Sequence, residues 1–137
     1  MRALAMSDRK LTVVIDVPRG SFLKRDDNGA IDFVSPVPCP FNYGHVPGTL
    51  ADDGEACDAV VLGPRLSLGS TSIVPVRGRV DFVDSGRPDP KWICSGAPIS
   101  TFQRFQVNAF FRFYAFVKRG INRFRGKRGP TCYLGWL

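Results

Sequence analysis

Three carboxylates, Asp53, Glu55 and Asp58, fall within six residues of the chain, with Gly54 between the first two. Oxygen donors gathered at one point are what hard divalent cations such as Mg²⁺ require. A solvated acidic turn has the same composition, and this segment alone leaves both readings open. A second cluster, Asp84-Ser-Gly-Arg-Pro-Asp-Pro-Lys91, again sets acids on a loop, with a lysine two residues after Asp89. Asp16 places a charge inside the apolar run Val13-Val-Ile-Asp-Val17, where it is expensive without a cavity, a partner or a metal. Lys24 follows eight residues later. Many acids with a few lysines and tyrosines form an inventory for metal-bound phosphate: carboxylates for the cation, lysines for the phosphate oxygens.

These groups need elements that bring their loops together. Residues 11–17 read as a β-branched strand ended by Pro18-Arg-Gly20. Asp26-Asp-Asn-Gly29 is a hairpin-turn signal, with a return strand over 30–34. Residues 35–49 hold four prolines and two glycines and read as an ordered but irregular loop. A turn at 52–55 opens into a strand over 57–63. Residues 72–83 form a long strand pattern in which Pro75 and Gly78 mark an edge, a bulge or a barrel corner. Residues 84–88 read as a loop and 91–94 as a short strand.

From residue 101 the period changes. Phe102, Phe105, Ala109, Phe113 and Phe116 recur at three- and four-residue steps, the stripe of an amphipathic helix expected to pack on the strands. Phe111 falls on the opposite side, where an exposed aromatic is a candidate oligomer contact. Gly120 is the expected stop of this helix. The predicted organisation is a single domain over 1–137, with an N-terminal extension (1–10), a helix (101–119), and a basic loop with an apolar docking tail (120–137). Strands followed by one helix predict a mainly β (α+β) fold, a small closed or partly closed barrel with the helix packed outside.

Composition narrows the classes further. A chain of 137 residues that is 44% hydrophobic and 23% charged is ordinary for one globular domain. No run approaches the roughly 18–20 apolar residues of a membrane helix. The apolar start is shorter than a secretory h-region of about 7–15 residues. The expected compartment is therefore the cytoplasm, with no membrane partner. Cys39, Cys57, Cys94 and Cys132 lie 18, 37 and 38 residues apart, without the short Cys-x-x-Cys step of zinc sites, and read as reduced. Residues 1–100 balance at −1 and residues 101–137 at +8, so the net charge of +7 belongs to the tail. The run 119–128 interleaves arginine, glycine and phenylalanine, like a sequence-tolerant binder of single-stranded nucleic acid, although a solvated basic loop is the simpler reading. The single histidine, His45, reads as structural, because no serine or cysteine pattern surrounds it.

The order and spacing of six segments carry a resemblance: Val14-Ile-Asp-Val-Pro18, Asn42-Tyr-Gly44, Asp53-Gly-Glu-Ala-Cys-Asp58, Gly78 with Val80-Asp-Phe-Val-Asp84, Asp89-Pro-Lys91, and Phe110-Phe-Arg-Phe-Tyr114. From about residue 12 to residue 136, the chain resembles the soluble, magnesium-dependent inorganic pyrophosphatases. The resemblance implies a five-stranded OB-like closed β-barrel with helices outside, and hydrolysis of inorganic pyrophosphate to two phosphates. It implies Asp53, Asp58, Asp84 and Asp89 as metal ligands, with Asp16 at the edge of the metal site. Lys24, Tyr43, Lys91 and Tyr114 would contact phosphate oxygens. Glu55 would orient or deprotonate the attacking water, so that Glu55, Tyr43 and Lys91 form the catalytic set. Mg²⁺ as cofactor and a homo-oligomer also follow from it.

The chain departs from the family pattern in places. Glu55 stands where the family carries aspartate. An arginine expected after the second strand is Phe33 or Ser35, and a lysine expected after the helical tyrosine is Ala115. Lys118, one helical turn beyond Tyr114, is a candidate replacement. Two other functions keep a place: a degenerate or altered-substrate phosphoanhydride hydrolase, and a non-catalytic nucleic-acid-binding OB-like module that uses the basic tail.

Overall fold

A computed structural model describes residues 9–25, 31–34, 38–49 and 56–136. In chain order the elements are β1 (Lys10–Val17), β2 (Leu23–Arg25), β3 (Ile31–Val34), β4 (Asn42–Val46), β5 (Cys57–Val61), β6 (Thr71–Asp84), β7 (Arg87–Pro88), β8 (Lys91–Cys94), α1 (Thr101–Phe124) and β9 (Cys132–Trp136). The sheet runs β1-β4-β5-β8-β6, and a further β1–β6 pairing closes these five strands into a ring. All pairs around the ring are antiparallel except β5–β8, which is parallel. The short β7 and the tail strand β9 extend from β6, while β2 and β3 form a separate hairpin. The mainly β architecture with one C-terminal helix agrees with the sequence reading.

One of the strand assignments differs from the sequence reading. The segment taken as an irregular loop contains β4, a full member of the ring. Its neighbouring prolines hide it: Pro40 and Pro47 flank the strand without entering it, so the ladder between Asn42 and Val46 keeps its donors. The expected return strand is present as β3, antiparallel to β2, and among the described residues this hairpin stands apart from the ring. Gly78 does mark an irregularity, a register shift between Val76 and Gly78 against β8. A Cβ there would lie 2.6 Å from the Trp136 ring, so the missing side chain is what lets the tail strand lie flat on β6.

The helix also turns differently from its expected orientation. Val107, Phe111, Ala115, Lys118 and Asn122 are its buried positions. Phe111, expected outward, is fully buried and packs on Phe41 and Tyr133 at ring-centroid distances of 5.9 Å each. Phe102, Phe105 and Phe116, expected inward, are about two-thirds exposed. The error has a physical source: two members of the true inward stripe are a lysine and an asparagine, which a hydrophobic count rejects. The helix also passes through Gly120 to Phe124, four residues beyond the expected stop, and is opened by a capping box between Ser100 and Gln103.

Two clusters form the core. Val13, Ile15, Val46, Ala59, Val61, Val76 and Cys94 make one. The other lies beneath α1 and joins Phe41, Tyr43, Val60, Val80, Phe82 and Ile93 to Val107 and Phe111. Because side chains alternate along a strand, the rows of this second cluster continue to the strand ends. Val60 continues to Asp58, Ile93 to Lys91, and Val80 with Phe82 to Asp84. The face that buries the helix therefore carries the charged residues at its rim.

Candidate active site

The centre of the site is Lys91. It is 1% exposed, and its ammonium donates to Asp58 Oδ2 at 2.6 Å and to Asp89 Oδ2 at 2.7 Å. Sheet register explains the first contact, since Asp58 and Lys91 are direct partners in the parallel β5–β8 pair. Tyr43, on β4, donates its hydroxyl to the same Asp58 oxygen at 2.7 Å. The Tyr43 and Phe82 rings both lie 5.7 Å from the ammonium. Burial works against the Lys91 charge, but Asp58, assisted by Tyr43 and Asp89, outweighs it and holds the pKa well above the ordinary lysine value. Burial, reinforced by the Asp58 charge, pushes the Tyr43 phenol well above its usual value, so it stays a hydroxyl donor. Tyr114, stacked on Phe82 at 5.4 Å, is close enough to influence both groups.

Asp84 is held at an adjoining corner. Ser85 and Gly86, both with positive φ (52° and 82°), make the two-residue turn that returns β6 into β7. The backbone N–H of Asp89 closes the hairpin on the Phe82 carbonyl at 2.7 Å. Thr131 Oγ1 accepts from the Ser85 N–H at 3.0 Å. From α1, Asn122 Nδ2 donates to Asp84 Oδ1 at 2.8 Å and to Thr131 Oγ1 at 2.9 Å, while the Lys118 ammonium stands 3.8 Å from Asp84 Oδ2.

Asp16 faces His45 Nδ1 at 2.8 Å, so the charge in the apolar strand has a partner. His45 is the cross-strand partner of Asp58, which sets this pair at the same end of the ring. Asn42, first residue of the Asn42-Tyr-Gly motif, is a structural knot. Its Oδ1 accepts from the Arg19 and Leu66 N–H groups, and its Nδ2 donates to the Val61 and Pro64 carbonyls. Burial raises the thiols of Cys39 and Cys94 to about 11 and about 12, so both are protonated. All four cysteines are free.

The structure thus brings together Tyr43, Asp58, Asp89, Lys91 and Tyr114, with Asp84 and Asp16 at adjoining positions. Asp53 and Glu55 lie outside the described residues, and Lys24 is placed only by its backbone, opposite Phe33 in β2–β3. Among the described residues, no three Asp, Glu, His or Cys side chains converge on one point. The donor chemistry nevertheless fits a hard divalent cation: Asp58 and Asp89 direct carboxylate oxygens at one positive centre, and Asp84 has one oxygen bound only loosely. Sequence reasoning missed Asn122. Its only signal is its position four residues after Lys118 on one helix face, visible once the inward face is known.

The family model of inorganic pyrophosphatase matches residues 13–126. The chain belongs to the inorganic pyrophosphatase family. It is 34% identical over 145 residues to the inorganic pyrophosphatase of a Pseudanabaena species, an alignment spanning 92% of this chain and 77% of that protein. The enzyme of Gluconobacter oxydans is 37% identical over 93 residues, which span 61% of this chain and about half (53%) of the relative. The crystal structure of inorganic pyrophosphatase from Thermus thermophilus superposes with a TM-score of 0.71 at 29% identity, covering 98% of this chain and 87% of that one. Family and named relatives support an inorganic diphosphatase activity, in a family that is generally metal-dependent.

Proposed function

We propose that the chain hydrolyses inorganic pyrophosphate to two phosphates, with Mg²⁺ bound by Asp58, Asp84 and Asp89 together with Asp53, and with Asp16 at the margin. The observation that carries this reading is the buried Lys91 ammonium shared by Asp58 and Asp89, with the Tyr43 hydroxyl on the same Asp58 oxygen. A divalent cation supplies Lewis acidity and a bound water that deprotonates near neutrality. The chain supplies the rest. Lys91 and Tyr43 fix Asp58, and both have N–H or O–H donors suited to phosphate oxygens. Tyr114 and Lys24 add phosphate contacts, and Glu55 orients the attacking water. We assign the reaction to the cytoplasm and the working form to a homo-oligomer; no described helix is long and apolar enough to cross a membrane.

Two cations of residues 101–137 are engaged on the body, while those of the run 119–128 are exposed. Arg104 stands 4.8 Å over the Trp136 ring, and Lys118 is buried beside Asp84. The test is phosphate release from pyrophosphate in Mg²⁺, with tripolyphosphate and nucleoside triphosphates as competitors. Release that prefers pyrophosphate and stops on chelation is expected. A preference for a nucleotide would make the chain an altered-substrate hydrolase, and no release from any of them would overturn the reading.

A further inference from the structure

Lys118 belongs to the helix face that packs on the sheet, and it is 8% exposed. Its ammonium has three N–H donors to satisfy, and the side chain is only 10% exposed. Its ion-pair partner, Asp84 Oδ2, lies at 3.8 Å, beyond hydrogen-bond reach. Lys91, by contrast, sits at 2.6 and 2.7 Å from its two carboxylates. Asp84 itself is anchored through its other oxygen, by Asn122 Nδ2 at 2.8 Å and the Ser85 hydroxyl at 3.3 Å. The carboxylate is thus held still while Oδ2 and the ammonium face each other across a gap. Asn122 Oδ1, in the same corner, is buried without a partner. This corner keeps unsatisfied polar capacity, and it includes Asp84, one of the carboxylates assigned to metal.

From this we infer that Lys118 is a substrate-binding residue that rests on Asp84 and leaves it for a phosphate oxygen when the site is loaded. The inference rests on the pyrophosphatase reading and adds to it the residue that holds one end of the diphosphate. In the resting protein, Lys118 neutralises Asp84. Once Asp84 serves a bound cation, like-charge repulsion displaces the ammonium outward, where a phosphate oxygen can accept from it. Lys118 therefore opposes metal binding on its own and favours phosphate binding in the loaded state. A purely structural lysine would change both in the same direction.

The experiment compares wild type with Lys118→Met and Lys118→Arg, with Lys118→Gln as a second neutral variant should the methionine form not fold. Mn²⁺ binding without phosphate is read by electron paramagnetic resonance, binding of inorganic phosphate to the Mn²⁺-loaded protein by calorimetry, and pyrophosphate turnover in Mg²⁺ by phosphate release. The neutral variants are expected to bind Mn²⁺ about threefold or more tightly, since a nearby positive charge is gone. They are expected to bind phosphate about tenfold more weakly and to raise KM by a similar factor, as loss of one charge-assisted hydrogen bond implies. Lys118→Arg should restore phosphate binding in part. Unchanged phosphate affinity in the neutral variants, or parallel loss of Mn²⁺ and phosphate, overturns the inference while leaving the wild-type activity standing. A wild type without pyrophosphate turnover counts against the enzymatic reading instead, and the two binding measurements still decide the role of Lys118.

Discussion

Two buried lysines meet the acids of this site in different ways. Lys91 is carried by a strand whose register sets it directly against Asp58, and its ammonium makes contacts of 2.6 and 2.7 Å. Lys118 is carried by a helix that reaches the end of β6 from outside the ring, and its ammonium stops 3.8 Å from Asp84. Hydrogen-bonded strands place neighbouring side chains within a narrow range of separations. A helix packed through Phe111 and Ala115 places its charge by side-chain length alone. The sheet gives a fixed pair, and the helix gives an adjustable one. In the proposed phosphate site, the first cation would hold the carboxylates in shape and the second would follow the substrate.

The sharpest way to break this contrast is to remove the fixed cation. Lys91→Met leaves Asp58 and Asp89 facing one another without a counter-charge. Breaking such a buried network should lower stability by about 3–5 kcal/mol, read by urea denaturation, and abolish pyrophosphate turnover. A loss below about 1 kcal/mol would mean that the pair is no more fixed than the one at Asp84. Asn122→Ala acts on the adjustable corner and should cost less, about 1–3 kcal/mol, because Asp84 Oδ1 and Thr131 each lose a donor. A larger loss than that of Lys91→Met would reverse the ranking of the two corners.

The smallest effect concerns pH. Lys91, Tyr43, Cys39 and Cys94 all have pKa values raised in the fold. Each holds its proton more tightly when folded, so its contribution is complete below the unfolded value and is lost as pH rises through the folded one. The earliest loss comes from the thiols, whose ordinary value is 9.0 and whose folded values are about 11 and about 12. The denaturation midpoint should be flat with respect to these groups near neutrality and fall progressively above about pH 9. A midpoint rising between pH 9 and 11 would contradict the assignment of these groups as buried and protonated.

Much of this was legible in the sequence, for reasons that can be named. Asp58, Asp89 and Lys91 could be read because acids and a lysine at the mouths of short strands have few structural uses. Asp16 could be read because a charge inside an apolar strand demands a partner, although the partner observed is His45. The helix face could not be read by counting hydrophobic residues. Its inward stripe includes Lys118, which faces Asp84, and Asn122, which bonds Asp84 and Thr131 from 38 and 9 positions away. The strand β4 was hidden by the prolines beside it, although it carries Tyr43. Flanking prolines disguised one element, and buried polar residues disguised the orientation of the other.

The central claim is that Asp58 is a working carboxylate of a pyrophosphate-hydrolysing site, held by Lys91 and Tyr43. The most direct test is phosphate release from pyrophosphate in Mg²⁺ by wild type and by Asp58→Asn, with folding of the variant verified by its thermal transition. Asparagine keeps the size of the side chain and removes its charge, so turnover should fall by about 100-fold or more in a folded protein. Equal turnover in the two proteins would contradict the account.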